Sequence, residues 1–185
     1  MLGNDLKGTQ KELKKFSVRV IADARRNLKS KRKNTSGKLS ESLSYEIITK
    51  DGKMTTQFIM APYGDFVDKG VRGKDPSKIK GGFQKAPMSP FAFGSGSGKG
   101  SLRKALDKWI VRKGIAPRTG TGQFTSRESL KFAMSKSIYF QGISPSNFFT
   151  QALNKNLKKL PNELADGFKN DIGIVFTKEI KDPKK

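Results

Sequence analysis

The sequence predicts an α+β fold: a small antiparallel β-sheet packed against long N- and C-terminal helices, with a long Gly-rich loop and helical insertion. Three observations predict it. Leu13, Phe16, Val20, Ala24 and Leu28 recur at spacings of 3 and 4, the repeat of one helix face. Residues 44–50 and 54–60 alternate as strands around Asp51-Gly52, a dipeptide that tolerates the positive φ of a tight hairpin turn. Phe149, Leu153, Leu157, Leu160, Leu164 and Phe168 then repeat a second helical face. At 185 residues the expectation is a single domain over 1–185, with 9–70 and 143–180 as its core and 71–142 as the insertion.

Each element has a local reason. Over 9–33, Thr9 followed by Glu12 makes a capping-box start. Arg25, Arg26, Lys29, Lys31, Arg32 and Lys33 crowd the other end. They suit the negative end of the helix dipole, and equally a phosphate or an acidic partner. Asn34 to Gly37 breaks the helix, and 38–43 leads into the sheet. Tyr45, Ile47 and Thr49 share one face of the first strand; Met54, Thr56, Phe58 and Met60 share one face of the second. Ala61-Pro62 ends that strand, and 63–70 makes a short helical turn whose Tyr63, Phe66 and Val67 are expected beneath the hairpin. Residues 71–100 read as loop, with a linker-like run at 94–100. Helices follow at 101–113, with Leu102, Leu106, Trp109 and Ile110 inward, and at 127–140, closed by Gly142; a polar loop over 115–126 joins them. Ser144-Pro145 reads as the cap of the next helix, which Pro161 should kink or divide. The β-rich run Ile174-Val175-Phe176-Thr177 makes 173–180 a last strand, joined to the hairpin sheet.

Charge dominates the composition. There are 38 Lys+Arg against 16 Asp+Glu, net +22, with no His and no Cys. The absent residues exclude disulfides, thiolate or imidazole metal sites, and Ser-His or Cys-His catalysis. No apolar run is long enough to span a bilayer and none follows Met1 as a secretory leader, so the expectation is synthesis in a cytoplasm and no membrane partner. Residues 44–70 are net −1, whereas 1–43 carry +8, 71–126 carry +10 and 127–185 carry +5. The charge thus avoids the hairpin.

Chemical motifs are sparse. Gly96-Ser97-Gly98-Lys99-Gly100-Ser101 lacks phosphate-loop spacing, since Phe93 stands where the first glycine is required. Asp65 and Asp68 stand at i and i+3 on one turn; Asp23, Glu41 and Glu46 are also available to a divalent metal, and nothing marks them. A solvated or ion-paired role is the plainer reading, and neither an enzymatic activity nor a cofactor is expected. Arg103, Lys104, Lys108, Arg112 and Lys113 surround Trp109; with Trp109 inward, they form an outer face that follows phosphates through charge alone.

The order of three motifs adds a resemblance. Thr35-Ser36-Gly37-Lys38-Leu39-Ser40-Glu41-Ser42-Leu43 precedes the hairpin. Ala61-Pro62-Tyr63-Gly64-Asp65-Phe66-Val67-Asp68-Lys69-Gly70 follows it, and Pro145-Ser146-Asn147-Phe148-Phe149-Thr150-Gln151-Ala152-Leu153 opens the late helix. Over 9–70 and 143–180 this resembles the tail-completion and head–tail joining proteins of tailed bacteriophages. The stretch 71–142 is longer than that family's usual insertion, and Asp68-Lys69-Gly70 is a shifted version of its usual acidic residue before the glycine.

The resemblance implies a structural virion protein, assembled in the host cytoplasm. It would form a closed ring, on the order of six or twelve copies, at the head–tail junction as a connector, tail-completion or terminator piece. Its partners would be further copies of itself, the portal, and adjacent neck or tail proteins. Packaged DNA would be met through Arg25, Arg26, Lys29, Lys31, Arg32 and Lys33. Gly81, Phe83, Phe91 and Phe93, in the arm 71–100, would carry subunit contacts, with the arm ordering on assembly. The alternative is a basic protein that binds nucleic acid without reading sequence.

Overall fold

A computed structural model describes residues 6–33, 35–51, 53–95, 101–118 and 120–181, with backbone alone at 101 and over 173–181. The fold is α+β. The chain divides into two compact units, Met1–Pro62 with Phe148–Lys185, and Tyr63–Asn147. The second unit therefore takes 63–70 and 143–147, which the sequence grouped with the core. The reason lies in the backbone: Ser146 N donates to Val67 O (3.1 Å) and Asn147 N to Asp68 O (2.9 Å).

In the first unit, α1 (Lys7–Ser30) is followed by α2 (Lys38–Ser42), β1 (Ser44–Lys50) and β2 (Lys53–Ile59). The α1 stripe is buried as its spacing requires: Leu13, Phe16, Val20, Ala24 and Leu28, with Ser17 and Ile21 beside it. The hairpin is antiparallel and in the expected register, Tyr45 opposite Phe58 and Ile47 opposite Thr56. Asp51 takes φ 52° in the turn; Gly52 lies outside the described residues. Its half-buried face meets α1 through an edge-to-face pair of Phe16 and Phe58, ring centroids 6.1 Å apart.

α6 (Phe148–Leu157) and α7 (Leu160–Lys181) complete this unit against α1. Pro161 does divide the helix, and sits in the first turn of α7, where a missing N–H costs nothing. Two expectations are corrected. The helix begins at Phe148 and not at Ser144-Pro145, because the bonds from Ser146 and Asn147 to Val67 and Asp68 hold the chain off the helical path. Residues 173–180 form no strand; they continue α7, so the sheet keeps two strands. β-propensity is a bias of tenths of a kcal/mol per residue, and extending a formed helix is easier than starting a strand.

The second unit contains α3 (Gly64–Lys69), β3 (Val71–Arg72), a 3-10 turn (Pro76–Lys78), α4 (Ser101–Lys113), α5 (Arg127–Gln141) and β4 (Gly142–Ile143). β3 pairs antiparallel with β4 and bridges on its other side to the chain at Ala92. The stretch 71–95 is no free arm. It wraps the C-terminal end of α5, whose orphan carbonyls need donors. Lys74 N donates to Tyr139 O (2.9 Å), Asp75 N to Phe140 O (3.2 Å) and Lys85 N to Gln141 O (2.9 Å). Gly142, at φ 92°, ends α5 as expected, and a Cβ there would meet Gly73 N at 2.6 Å. The linker-like run 96–100 lies outside the described residues.

Candidate functional site

α1 ends at Ser30 and not at residue 33, in a Schellman turn. Arg32 N donates to Lys29 O (3.1 Å) and Lys33 N to Leu28 O (3.0 Å), with Arg32 at φ 53°. The basic set therefore splits. Arg25 is structural: its guanidinium donates to Ser40 O (2.9 Å) and Leu43 O (3.0 Å), supplying donors to the end of α2. Arg26 pairs with Asp23 at 2.7 Å, and Lys31 Nζ donates to Gln151 Oε1 at 3.0 Å. Lys29, Arg32 and Lys33 stay exposed, with no carboxylate in ion-pair reach among the described residues.

Beside this end, a groove of about 330 Å³ is lined by Arg19, Ala22, Asp23, Arg26, Lys155, Asn156, Lys159 and Glu163. Asp23 holds it together, accepting from Arg26, from Lys155 (3.0 Å) and from Asn156 (3.1 Å). The Lys155 hydrogen bond, then Asn156 and the two positive charges, outweigh burial and hold its carboxyl below the ordinary carboxylate range. Arg19 pairs with Glu163 across the same groove. Asp23 and Glu163 are thus both engaged by cations of the groove.

The start of α1 is capped from far along the chain. Leu6 offers no side-chain cap, and Glu12 pairs with Lys15 at 2.6 Å, so the Thr9–Glu12 box does not form. Instead Asp171 of α7 accepts from Gly8 N (2.6 Å), Thr9 N (2.8 Å) and Thr9 Oγ1 (2.8 Å). It is 2% exposed. Burial pushes its pKa up, yet the three hydrogen bonds bring it below the ordinary value. Sequence reading missed Asp171 and the hub role of Asp23; only the i,i+3 pair Asp23–Arg26 was visible locally.

Of the residues assigned to subunit contact, Phe83 is 64% exposed, and a Cβ at Gly81 would meet nothing within 4 Å. Phe91 and Phe93 are engaged inside their own unit. Phe91 stacks edge-on with Phe66 (4.4 Å) and Phe93 tilts against Tyr139 (5.9 Å). Tyr63 and Phe66 do not find the buried place expected beneath the hairpin: both are nearly half exposed, and Phe66 makes its ring contact with Phe91.

Asp65 pairs with Lys69 at 3.3 Å and Asp68 is buried. Among the described residues no three His, Cys, Asp or Glu converge, and no helix is long and apolar enough to cross a membrane. Leu106 and Ile110 of α4 are buried, and Trp109 is partly so. On α4, Asp107 is turned toward α5 and held by Arg127 (3.3 Å) and Lys131 (3.2 Å).

The chain matches no protein-family model, no curated protein and no solved structure.

Proposed function

We propose that this chain is a structural virion protein of a tailed bacteriophage, forming a ring at the head–tail junction with portal or neck and tail proteins as neighbours. The observation that carries the reading is the β1–β2 hairpin. It is a sheet of two strands, with no further strand on either edge among the described residues. An isolated hairpin is marginal in water, and open edges are templates for pairing with another chain. Ile48 and Ile59, on its outward face, are exposed. A subunit completed by its neighbours has these features, and a heterologous contact that closes gives a ring. The order of the three motifs supports the same reading.

The charge bears on assembly too. Subunits of +22 repel one another at low ionic strength, so ring formation requires salt or a polyanion.

Light scattering coupled to gel filtration, at low and moderate salt and with a portal complex added, tests the proposal. A closed oligomer is expected, and Ile48→Lys or Phe83→Ser should lower its yield while the subunit stays folded. A chain that remains monomeric in every condition and ignores the portal ends the ring reading. The second reading, a nucleic-acid-binding protein outside any particle, is favoured by the exposed cations Lys104, Lys108 and Arg112 of α4 and predicts a monomer or dimer.

A further inference from the structure

We propose that the exposed face of α4 is a binding surface for the phosphate backbone of duplex DNA, distinct from the basic end of α1. The surface is independent of ring formation.

The geometry comes from helical periodicity. Leu106 and Ile110 are buried, which fixes the inward direction of α4. Diametrically opposite lies Lys108, flanked one turn away on each side by Lys104 and Arg112, at i−4 and i+4. All three are exposed. At about 1.5 Å per residue the row spans about 12 Å. Duplex DNA offers one negative charge per about 1.7 Å of axis, so several phosphates lie within reach of such a row.

Two further facts favour this face over α1. The single acid of α4, Asp107, is turned off the face and held by Arg127 and Lys131. No carboxylate lies in ion-pair reach of Lys104, Lys108 or Arg112 among the described residues. In the α1 set, by contrast, Arg25, Arg26 and Lys31 are already engaged. Among the described side chains, the others on the α4 face are Ala105 and Val111, neither of which reads a base edge. The surface therefore recognises phosphates and not sequence.

Aromatic groups border the unit elsewhere. Arg118 lies 4.0 Å over the Phe124 ring, and Arg103 lies 4.9 Å over Phe132, with both rings more than half exposed. Such rings would favour unpaired bases, so single-stranded DNA is the competing ligand.

The test is fluorescence anisotropy of a short mixed-sequence DNA duplex over a salt series, with oligomeric state recorded on the same samples. For Lys104→Ala/Lys108→Ala/Arg112→Ala the slope of log K against log salt should become shallower by about 2.7, the value for three phosphate contacts. Alanine preserves the helix, and circular dichroism checks this. The matched variant Lys29→Ala/Arg32→Ala/Lys33→Ala should keep most of the wild-type slope. No duplex binding by the wild type, an unchanged slope in the α4 variant, or an equal loss in the α1 variant overturns the proposal. So does competition by polyglutamate as effective as by unlabelled duplex, which would indicate an acidic protein partner. Tighter binding of single-stranded DNA that disappears in Phe124→Ala/Phe132→Ala overturns the duplex assignment as well. Loss of slope in a chain that forms no ring removes the ring reading and leaves this surface standing.

Discussion

The two units carry the same net charge and use it differently. The first has 22 Lys+Arg and 11 Asp+Glu, the second 16 and 5, and each is net +11. In the first unit acids join distant parts of the chain: Asp171 caps α1 from α7, Asp23 ties α1 to α6, and Glu163 ties α7 to α1. In the second several act nearby, as in Asp65–Lys69, Asp75–Ser77 and Glu128–Lys131, while Asp107 links two helices. Acids in the first unit therefore help to hold distant elements of its fold together. In the second, Lys104, Lys108 and Arg112 are left facing outward.

The sharpest way to break that comparison is at Asp171. Asp171→Ala removes three hydrogen bonds from a buried carboxylate and uncaps α1, an expected loss of about 2–3 kcal/mol. Urea denaturation followed by Trp-independent circular dichroism reads it. Lys104→Ala/Lys108→Ala/Arg112→Ala, on the exposed face of the second unit, should stay within about 0.5 kcal/mol of wild type. Equal losses in the two variants would erase the distinction.

Next in size is the helix crossing that makes the Asp171 contact reachable. Gly8 and Gly167 face each other where α1 meets α7. A Cβ on Gly8 would lie 2.6 Å from Gly167 O, which is backbone and cannot give way. Gly8→Ala should cost about 1–3 kcal/mol through overpacking, and a melt matching wild type would show that the helices separate freely.

These contacts mark where sequence reading stops. The stripe Leu13–Leu28, the hairpin register and the Gly142 stop follow from periodicity and turn chemistry, which are local. The Asp171 cap spans 162 residues and replaced a local box that looked complete at Thr9 and Glu12. The strand expected at 173–180 failed for the same reason, because local β-propensity gave way to the helix already running through Phe168 and Ile172. Arg25, Arg26 and Lys31 looked free because their partners, Ser40 and Leu43 carbonyls, Asp23, and Gln151, mostly lie far along the chain. Exposure and partnering decide an interface, and neither is written in composition.

Acid separates the units by another route. Asp23 and Asp171 both have folded pKa values below the ordinary 3.8. On acidification the unfolded chain takes up these protons first, so the stability they contribute is present above that value and is lost as pH falls through the folded ones. In the second unit, the Ser77 hydrogen bond holds Asp75 below the ordinary value at the start of the 3-10 turn, outside α4 and α5, while Glu128 and then Asp107 raise the pKa of Lys131 above 10.5. That contribution is present below 10.5 and is lost as pH rises through the folded value. Hydrogen exchange resolved by residue should show α1 and α7 losing protection in acid before α4 and α5. The reverse order would mean that Asp23 and Asp171 do not govern the acid limit of the first unit.

The smallest effect expected is at Arg32, and its sign is informative. An L-residue at φ 53° carries strain of about 1 kcal/mol that glycine avoids, while glycine has more backbone freedom to lose on folding. Since the Schellman bonds from Arg32 and Lys33 are made by the backbone, Arg32→Gly keeps them. The net expectation is a gain of about 0.5 kcal/mol, read as a higher melting temperature. If duplex DNA affinity stays near wild type in that variant, the arginine side chain has no large part in DNA contact, and the split between a structural α1 end and an outward-facing α4 is sharpened. A fall in affinity as large as that of Lys104→Ala/Lys108→Ala/Arg112→Ala would instead place the strained arginine at the centre of the DNA contact, because stability and binding would then pull in opposite directions at one position.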